Sequence, residues 1–482
     1  MPKEFIVAIE LGSSKMTGIA GQKNLDGSIT VLAAVEEDSS SCIRKGVIYN
    51  IDKTCQCLAS ILKKLKAILK QDITQVYVGV GGRSIRSIKN VIVKDLPSDT
   101  IITQEMINEL MDINRNMTYP DQEILDAATQ EYKTDNLFQI DPVGIQCNHL
   151  EGIFLNILWR KSFYNNINTC FEKANIPIAE LYLAPLAMAD SVLTDSEKRA
   201  GCVLVDLGAD TTTVSVYYKN ILRHLSVIPL GGNNVTKDLT CLQIEEPEAE
   251  KMKLKYAKAY TEINNVDPTL NYPIDKERVI ESKKFIEIVE ARVEEIVENA
   301  WFQVPLEYAD KLLGGMIITG GGSNMPEIDK VFRKHTNMQK IRFAKFVSQT
   351  VKSKDPKINN HDGTMNTILG LLAKGDMNCA GEEISNDLFT NGERMLNNNE
   401  ATTKTPRNLN ETAGTGVVPT PAEKQKREEE LKKKKEEEER KAKIAEEEEK
   451  ERLAKEKREN SLFHKGFKHL KKFFIDAVSE EE

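Results

Sequence analysis

Apolar residues recur in recognisable rhythms over roughly the first 375 positions of this chain, and the rhythm then stops. The most informative stretch is residues 201–214. A run of β-branched and apolar side chains at 203–205 predicts a buried strand. It ends in Asp206, turns at Gly208-Ala209-Asp210, and continues through Thr211, Thr212 and Thr213 into a returning strand with Val214, Val216 and Tyr217. The same order of events stands near the N-terminus. Residues 5–9 run into Glu10, turn at Gly12-Ser13-Ser14, pass Lys15 and return through residues 16–20. A third buried strand, residues 316–319, runs into Gly320-Gly321-Gly322.

Between these landmarks the pattern predicts a layered α/β chain. Residues 29–35 form a third strand. Cys57, Leu58, Ile61, Leu62, Leu65, Ile68 and Leu69 recur at helical spacing, with Asp52 placed to cap the helix. Residues 76–82 form a strand closing in glycines. From 83 to 173 the texture changes: strands at 84–93, 126–132 and 152–158, and helices at 103–114 and 163–174, the first opened by Thr103. This is a small α+β insert, because a strand resumes at 176–183. Residues 183–201 read as one helix with a polar end, and 221–229 as a strand. Gly231 and Gly232 open a further helix. Residues 241–310 are mostly helical and charged, with an amphipathic helix at 285–297. The fold is expected to end near residue 375.

The tail has three textures. Residues 381–422 hold Asn, Thr, Gly, Pro and Glu without periodicity, as a disordered linker does, so the linker is placed at 376–422. Residues 423–460 alternate acidic and basic blocks about four apart, a spacing that supports a solvated helix. Leu431, Ile444 and Leu453 are too few for a coiled-coil seam. Residues 461–475 change again. Phe463, Phe467, Leu470 and Phe474 form one stripe, broadened by Leu462, Phe473 and Ile475. Lys465, Lys468, Lys471 and Lys472 occupy the rest. Such a helix is too short and charged to span a bilayer, but suits the surface of an anionic one.

Composition adds limits. The chain has 482 residues, enough for several domains, and a net charge of −8, which argues against nucleic acid as a partner. Its eight cysteines are scattered without zinc-ligand or disulfide-frame spacing, and read as reduced core thiols of a cytosolic protein. The N-terminus leads into a strand too short for a secretion signal, and no apolar run is long enough to cross a membrane.

The chemistry follows from the doubled motif. A single strand–acid–glycine hairpin is an ordinary feature of sheets. Two of them, with a glycine run after a third strand, suggest two halves closing on one nucleotide. Backbone N–H groups and hydroxyls at the tips can hold phosphate oxygens. Carboxylates at Glu10 and Asp206 can order a hydrated Mg²⁺. In this order the pieces resemble the two phosphate motifs and the adenosine motif of the actin-like ATPase superfamily. Four further strings, 43–48, 192–198, 228–236 and 290–296, resemble the FtsA family of bacterial cell-division proteins over residues 4–375 and the extreme C-terminus.

That resemblance implies an α/β, two-lobed actin-like fold of ribonuclease H-like halves. Subdomain 1A would take residues 1–82, 174–200 and 346–375, the inserted 1C 83–173, 2A 201–240 and 311–345, and 2B 241–310. It implies ATP and Mg²⁺ as ligands. Phosphates would lie between Gly12, Ser13, Ser14, Lys15 and Gly208, Ala209, Asp210, Thr211, Thr212. The ribose and base would pass Gly231, Gly232 and Gly320, Gly321, Gly322, with Arg292 and Glu294 either flanking the base or held in structural salt bridges. It implies self-association through 1C, the C-terminal peptide of the tubulin-like protein FtsZ at 2B, other division proteins, and the cytoplasmic face of the inner membrane as its location. The lysines at 251, 253, 255, 258, 283 and 284 are candidates to meet an acidic peptide.

Two departures stand out. Glu10 occupies a position usually held by Asp, and Ala209-Asp210 replaces consecutive glycines. Asp210 helps hold Mg²⁺, or turns away, or weakens nucleotide binding. No general base is evident, so hydrolysis is expected to be slow or absent. An actin-fold kinase would need a catalytic Asp after the insert, and a chaperone a β-rich domain after the ATPase. Neither pattern is present. A pilus-assembly relative is the nearer alternative.

Overall fold

The structure, a computed structural model, describes residues 4–262 and 270–380. These belong to the first of two units, residues 1–418. The second, residues 419–482, lies outside the described residues, as do the predicted linker beyond residue 380, the charged spacer and the helix at 461–475.

Two sheets carry the repeated hairpin. In the first, Ile6–Leu11, Lys15–Lys23 and Ile29–Asp38 form an antiparallel meander. Val76–Val80 adds parallel to Ile6–Leu11, and Ile178–Leu183 parallel to Val76–Val80. In the second, Cys202–Leu207, Thr212–Tyr218 and Ile221–Ile228 repeat the meander. Gly315–Thr319 and Ile341–Phe343 add in parallel on the far side. The two central strands even share a burial pattern. Each is buried along its length except at one position, and that position is Glu10 in one and Asp206 in the other. Burying a strand on both faces demands continuous apolar sequence, and a carboxylate is tolerated only where the strand meets the cleft.

Helix Ile51–Leu69 covers the first sheet through Leu58, Ile61, Leu62, Leu65 and Leu69. It approaches the strand closely at Gly18, where a Cβ would lie 2.3 Å from the Ile61 side chain. Helix Ser282–Phe302 does the same for the second sheet with Phe285, Val289, Val293 and Val297.

The insert is α+β, as expected, and its strands are longer than the apolar pattern indicated. Arg86–Ile101, Gln122–Thr134 and Gln146–Arg160 pair antiparallel, with Leu137–Gln139 at the edge. Their extra residues alternate between exposed and covered, so the apolar signal fades while the ladder continues. Helix Gln104–Arg115, capped by Thr103 as predicted, closes a small core with Ile92, Leu110, Tyr132 and Phe154. The following helix, Lys161–Lys173, sends Phe163, Ile167, Cys170 and Phe171 into the first lobe's core instead. On the other side the insert meets the second sheet at Ser226–Arg86, reinforced by Arg223 to Glu131 at 2.8 Å.

Three local expectations are corrected. The helix capped by Asp52 in prediction begins two residues earlier; Asn50 is the cap, its side chain accepting from the Lys53 amide at 3.0 Å. Residues 183–201 are two helices, Ala184–Val192 and Asp195–Ala200. Thr194 caps the second, an exposed helix, in a reciprocal box with Glu197. The ordered chain also continues past residue 375. Tyr77 accepts from the Asp376 and Met377 amides at 3.0 and 2.8 Å, and Asn378 and Cys379 are buried against Phe5 and Val7.

Candidate nucleotide-binding cleft

The two hairpins and the glycine run surround one cleft of about 630 Å³, a size typical of small-molecule sites. Glu10, Gly12, Ser13, Ser14 and Lys15 line one wall; Asp206, Gly208, Ala209, Asp210, Thr211 and Gly232 line the facing one. Gly320, Gly321 and Gly322 close an end. The sequence therefore located most of the lining. The folding reason is local: each acid ends a central strand, so the turn after it must emerge at the same edge of its sheet. The two sheets present those edges to each other.

The hairpin tips are held from behind. Gly12 lends its carbonyl to the Ser39 hydroxyl at 2.6 Å, and Ser13 Oγ accepts from the Gly46 amide at 2.7 Å. The Ser13 hydroxyl proton is thus left to donate elsewhere. Asp210, the unusual residue, is fully engaged. One oxygen accepts from the Lys45 amide at 3.1 Å and the other from Asn233 Nδ2 at 2.8 Å. Its two oxygens thus meet hydrogen-bond donors contributed by opposite halves of the fold, and the residue still lines the cleft wall.

Glu10 and Asp206 occupy the floor. Burial pushes the Glu10 carboxyl up to about 7, with repulsion from Asp206 second, and burial alone pushes Asp206 up to about 6. Lys15 offsets Glu10 but is itself paired with Glu36. Two desolvated acids that repel one another are relieved by a divalent cation, and carboxylates set back from the phosphate turns suit the hydrated shell of Mg²⁺. The residues present therefore fit that ion, which Glu10 and Asp206 would hold through water.

Four predicted residues lie elsewhere. Thr212 is fully buried, and its hydroxyl donates to the Leu230 carbonyl at 2.9 Å. Gly231 is packed on the second hairpin, where a Cβ would lie 2.5 Å from the Ala209 carbonyl oxygen. Its role is to let helix Gly232–Leu239 start there: the Gly232 and Asn233 amides donate to the Gly208 and Ala209 carbonyls at 3.0 and 2.7 Å. Arg292 pairs with Asp238 and Glu295, and Glu294 meets Lys334 and His335. Both belong to ion pairs, as the salt-bridge reading expected, and are not among the cleft-lining residues.

The structure adds residues the sequence did not assign to the cleft. Lys253 and Glu250 line the cleft from helix Glu246–Tyr256. Lys253 Nζ reaches Glu250, the Thr236 hydroxyl at 2.8 Å and the Gly232 carbonyl at 3.1 Å. It is therefore a wall residue, unlike the exposed lysines at 251, 255, 258, 283 and 284 with which it was grouped. At the glycine end, Asn324 donates to the Asp362 carbonyl and accepts from Lys345, and Asp362, Gly363 and Thr364 complete the rim. The Asp-Gly-Thr turn before the last helix was a readable signal; the helix position of Lys253 was not.

A sequence profile of the family described as Cell division protein FtsA matches residues 203–363, and one described as the SHS2 domain inserted in FtsA matches residues 82–158. The cell division protein FtsA of Porphyromonas gingivalis is 33% identical over 324 residues, covering 66% of this chain and 68% of the relative. That of Neisseria meningitidis is 30% identical over 342 residues, covering 68% and 82%. Among solved structures, a PilM-PilN type IV pilus biogenesis complex aligns with a TM-score of 0.54 at 12% identity, covering 77% of this chain and 98% of that one, a likeness of fold alone. With its actin-like doubled sheet, its inserted α+β domain and these relatives, the chain belongs to the FtsA family of cell division proteins.

Proposed function

We propose that this chain binds Mg²⁺ and ATP in the cleft, assembles with copies of itself, and ties the FtsZ ring to the cytoplasmic face of the inner membrane through residues 461–475. The observation that carries the reading is the pair of acid-ended hairpins facing one cleft in a chain of this family. Gly12, Ser13, Ser14 and Lys15 approach the phosphates from one side, and Gly208, Ala209 and Thr211 from the other. The bound ion supplies charge neutralisation between Glu10 and Asp206. Gly320, Gly321 and Gly322 leave room for the sugar and base. The cleft is built from both halves, so a nucleotide that contacts both favours their closed arrangement and acts as an assembly ligand.

Self-association through the insert is supported by its surface. Leu137, Phe138 and Ile140 are each at least 60% exposed, on and beside the open edge strand Leu137–Gln139. An apolar open edge is a ready template for a second chain. The 241–310 region offers exposed Lys251, Lys255, Lys258, Lys283 and Lys284 to an acidic peptide such as the FtsZ C-terminus. Other division proteins would be further partners. Among the described residues no helix is long and apolar enough to cross a membrane, so attachment falls to the terminal amphipathic sequence. Each lysine there contributes about 1 kcal/mol at an anionic surface.

Sedimentation with anionic liposomes tests the reading. The full chain is expected to pellet and a chain ending at Asn460 to stay in solution, with Mg²⁺ and ATP increasing the pelleted fraction. Equal behaviour of the two chains would remove the membrane role.

A further inference from the structure

Beside the nucleotide cleft lies a second opening of about 680 Å³ with a different lining. Arg44, Lys45, Arg83 and Lys237 face it, against Glu246 and Asp210. Asp210 keeps its negative charge while its oxygens accept from the Lys45 amide and Asn233, so the lining sets four cations against two carboxylates and is net positive. None of the four cations has an ion-pair partner among the described residues. A concave surface with unneutralised positive charge focuses its field and concentrates anions.

The lining is rigidly built. Arg83 N donates to the Lys45 carbonyl at 3.0 Å, and Gly46 N to Ser13 Oγ at 2.7 Å. Gly46 and Gly82, at φ +71° and +118°, pack backbone to backbone; a Cβ on Gly46 would lie 2.3 Å from Gly82 Cα. The Arg44 guanidinium stacks 4.4 Å above the Tyr49 ring, also part of the lining. Ser13, Asp210 and Asn233 line both openings and so form the partition between them.

We propose that this second cleft is a phosphate-binding vestibule. Inorganic phosphate is a compact anion with several acceptor oxygens, which suits two guanidinium forks and two ammonium groups around one cavity. It can come from solution or from the nucleotide. In the second case water adds at the γ-phosphorus as the β–γ bridging P–O bond breaks, giving ADP, phosphate and a proton, and the phosphate passes the Ser13–Asp210 partition. Only that second source rests on the ATP reading; the anion site itself does not.

The test is equilibrium dialysis of the full chain with radiolabelled inorganic phosphate, with the nucleotide cleft filled by a non-hydrolysable ATP analogue and Mg²⁺. Saturable, salt-weakened phosphate binding is expected to persist beside the analogue. The double substitution Arg44→Ala with Arg83→Ala is expected to weaken it about tenfold, as loss of two exposed charge contacts would, with analogue affinity unchanged. Lys237→Glu, on an exposed helix face, provides an independent variant should the double one misfold. Absence of phosphate binding, its displacement by the analogue, or wild-type binding in the variants would overturn the proposal. Phosphate release after mixing with ATP separates the sources: altered release in the variants assigns the phosphate to the nucleotide, and unaltered release to solution. If the analogue fails to bind while phosphate does, the ATP reading falls and this one stands.

Discussion

The floor of the nucleotide cleft makes a pH prediction whose sign is set by the fold. Glu10 is an ordinary carboxylic acid in the unfolded chain, near 4.5, and burial raises it to about 7 in the folded one. Between those values the folded protein binds more protons than the unfolded, so stability falls as pH rises through that window. At 1.36 kcal/mol per pH unit, the loss from Glu10 is roughly 3 kcal/mol at most, complete by about pH 8. Asp206, raised from 3.8 to about 6 by burial, adds a loss at slightly lower pH. The two do not sum, since part of the Glu10 rise is the Asp206 charge. The perturbation is Glu10→Gln, which keeps shape and removes the titration. Urea unfolding of the nucleotide-free protein at pH values from 5 to 8.5 is the assay. The variant should match the wild type at pH 5 and exceed it by about 2–3 kcal/mol at pH 8. With Mg²⁺ and ATP the order should reverse, because the wild type regains a counter-ion for its carboxylate and the amide has none to offer. A variant as steeply pH-dependent as the wild type, or less stable at pH 8, would refute the claim that Glu10 is held in the cleft floor at a desolvation cost.

Three further predictions concern the frame around that floor. Gly320 has φ +83° and a Cβ there would lie 2.2 Å from Asp206 Oδ1, so Gly320→Ala should lower nucleotide affinity at least tenfold and destabilise by about 2–4 kcal/mol, read by fluorescent-nucleotide titration and thermal melting. Tyr77→Phe leaves the Asp376 and Met377 amides without their acceptor; it should cost about 1–3 kcal/mol and speed amide exchange at 376–380 in hydrogen–deuterium exchange. Thr194→Ala removes a capping box and should cost about 1 kcal/mol in urea unfolding without changing nucleotide affinity.

Much of the cleft was legible because its parts are contiguous in sequence. A strand that must be apolar on both faces, an acid at its end and small or hydroxylated residues in the turn all lie within about fifteen positions. The repetition of that string, and the glycine run after a third strand, identified both walls and one end. The insert was legible from the return of the strand pattern after residue 173, though its ladders ran longer than its apolar signal.

What the sequence could not decide were the contacts made between distant segments. Lys253 and Glu250 sit in a charged helix with nothing to distinguish them from Lys251 or Lys255. Only the packing of Glu246–Tyr256 on Gly232–Leu239 turns them into the cleft. Thr212 and Thr211 look equivalent in the string, yet Thr212 opens the returning strand and is buried where it pairs with Ile228, while Thr211 stays in the turn that lines the cleft. Asp210 was ambiguous for the same reason. Its meaning depends on Lys45, 165 positions away, and on Asn233. Residues 376–380 read as the start of a linker because five residues carry no periodicity, while the groups that hold them, the Phe5 amide and the Tyr77 hydroxyl, lie near the other end of the chain. Local order, the doubled motif and the family were written along the chain. The direction each polar group faces, and so which of them form the site, was decided by two sheets bringing the turns after their central strands to one cleft.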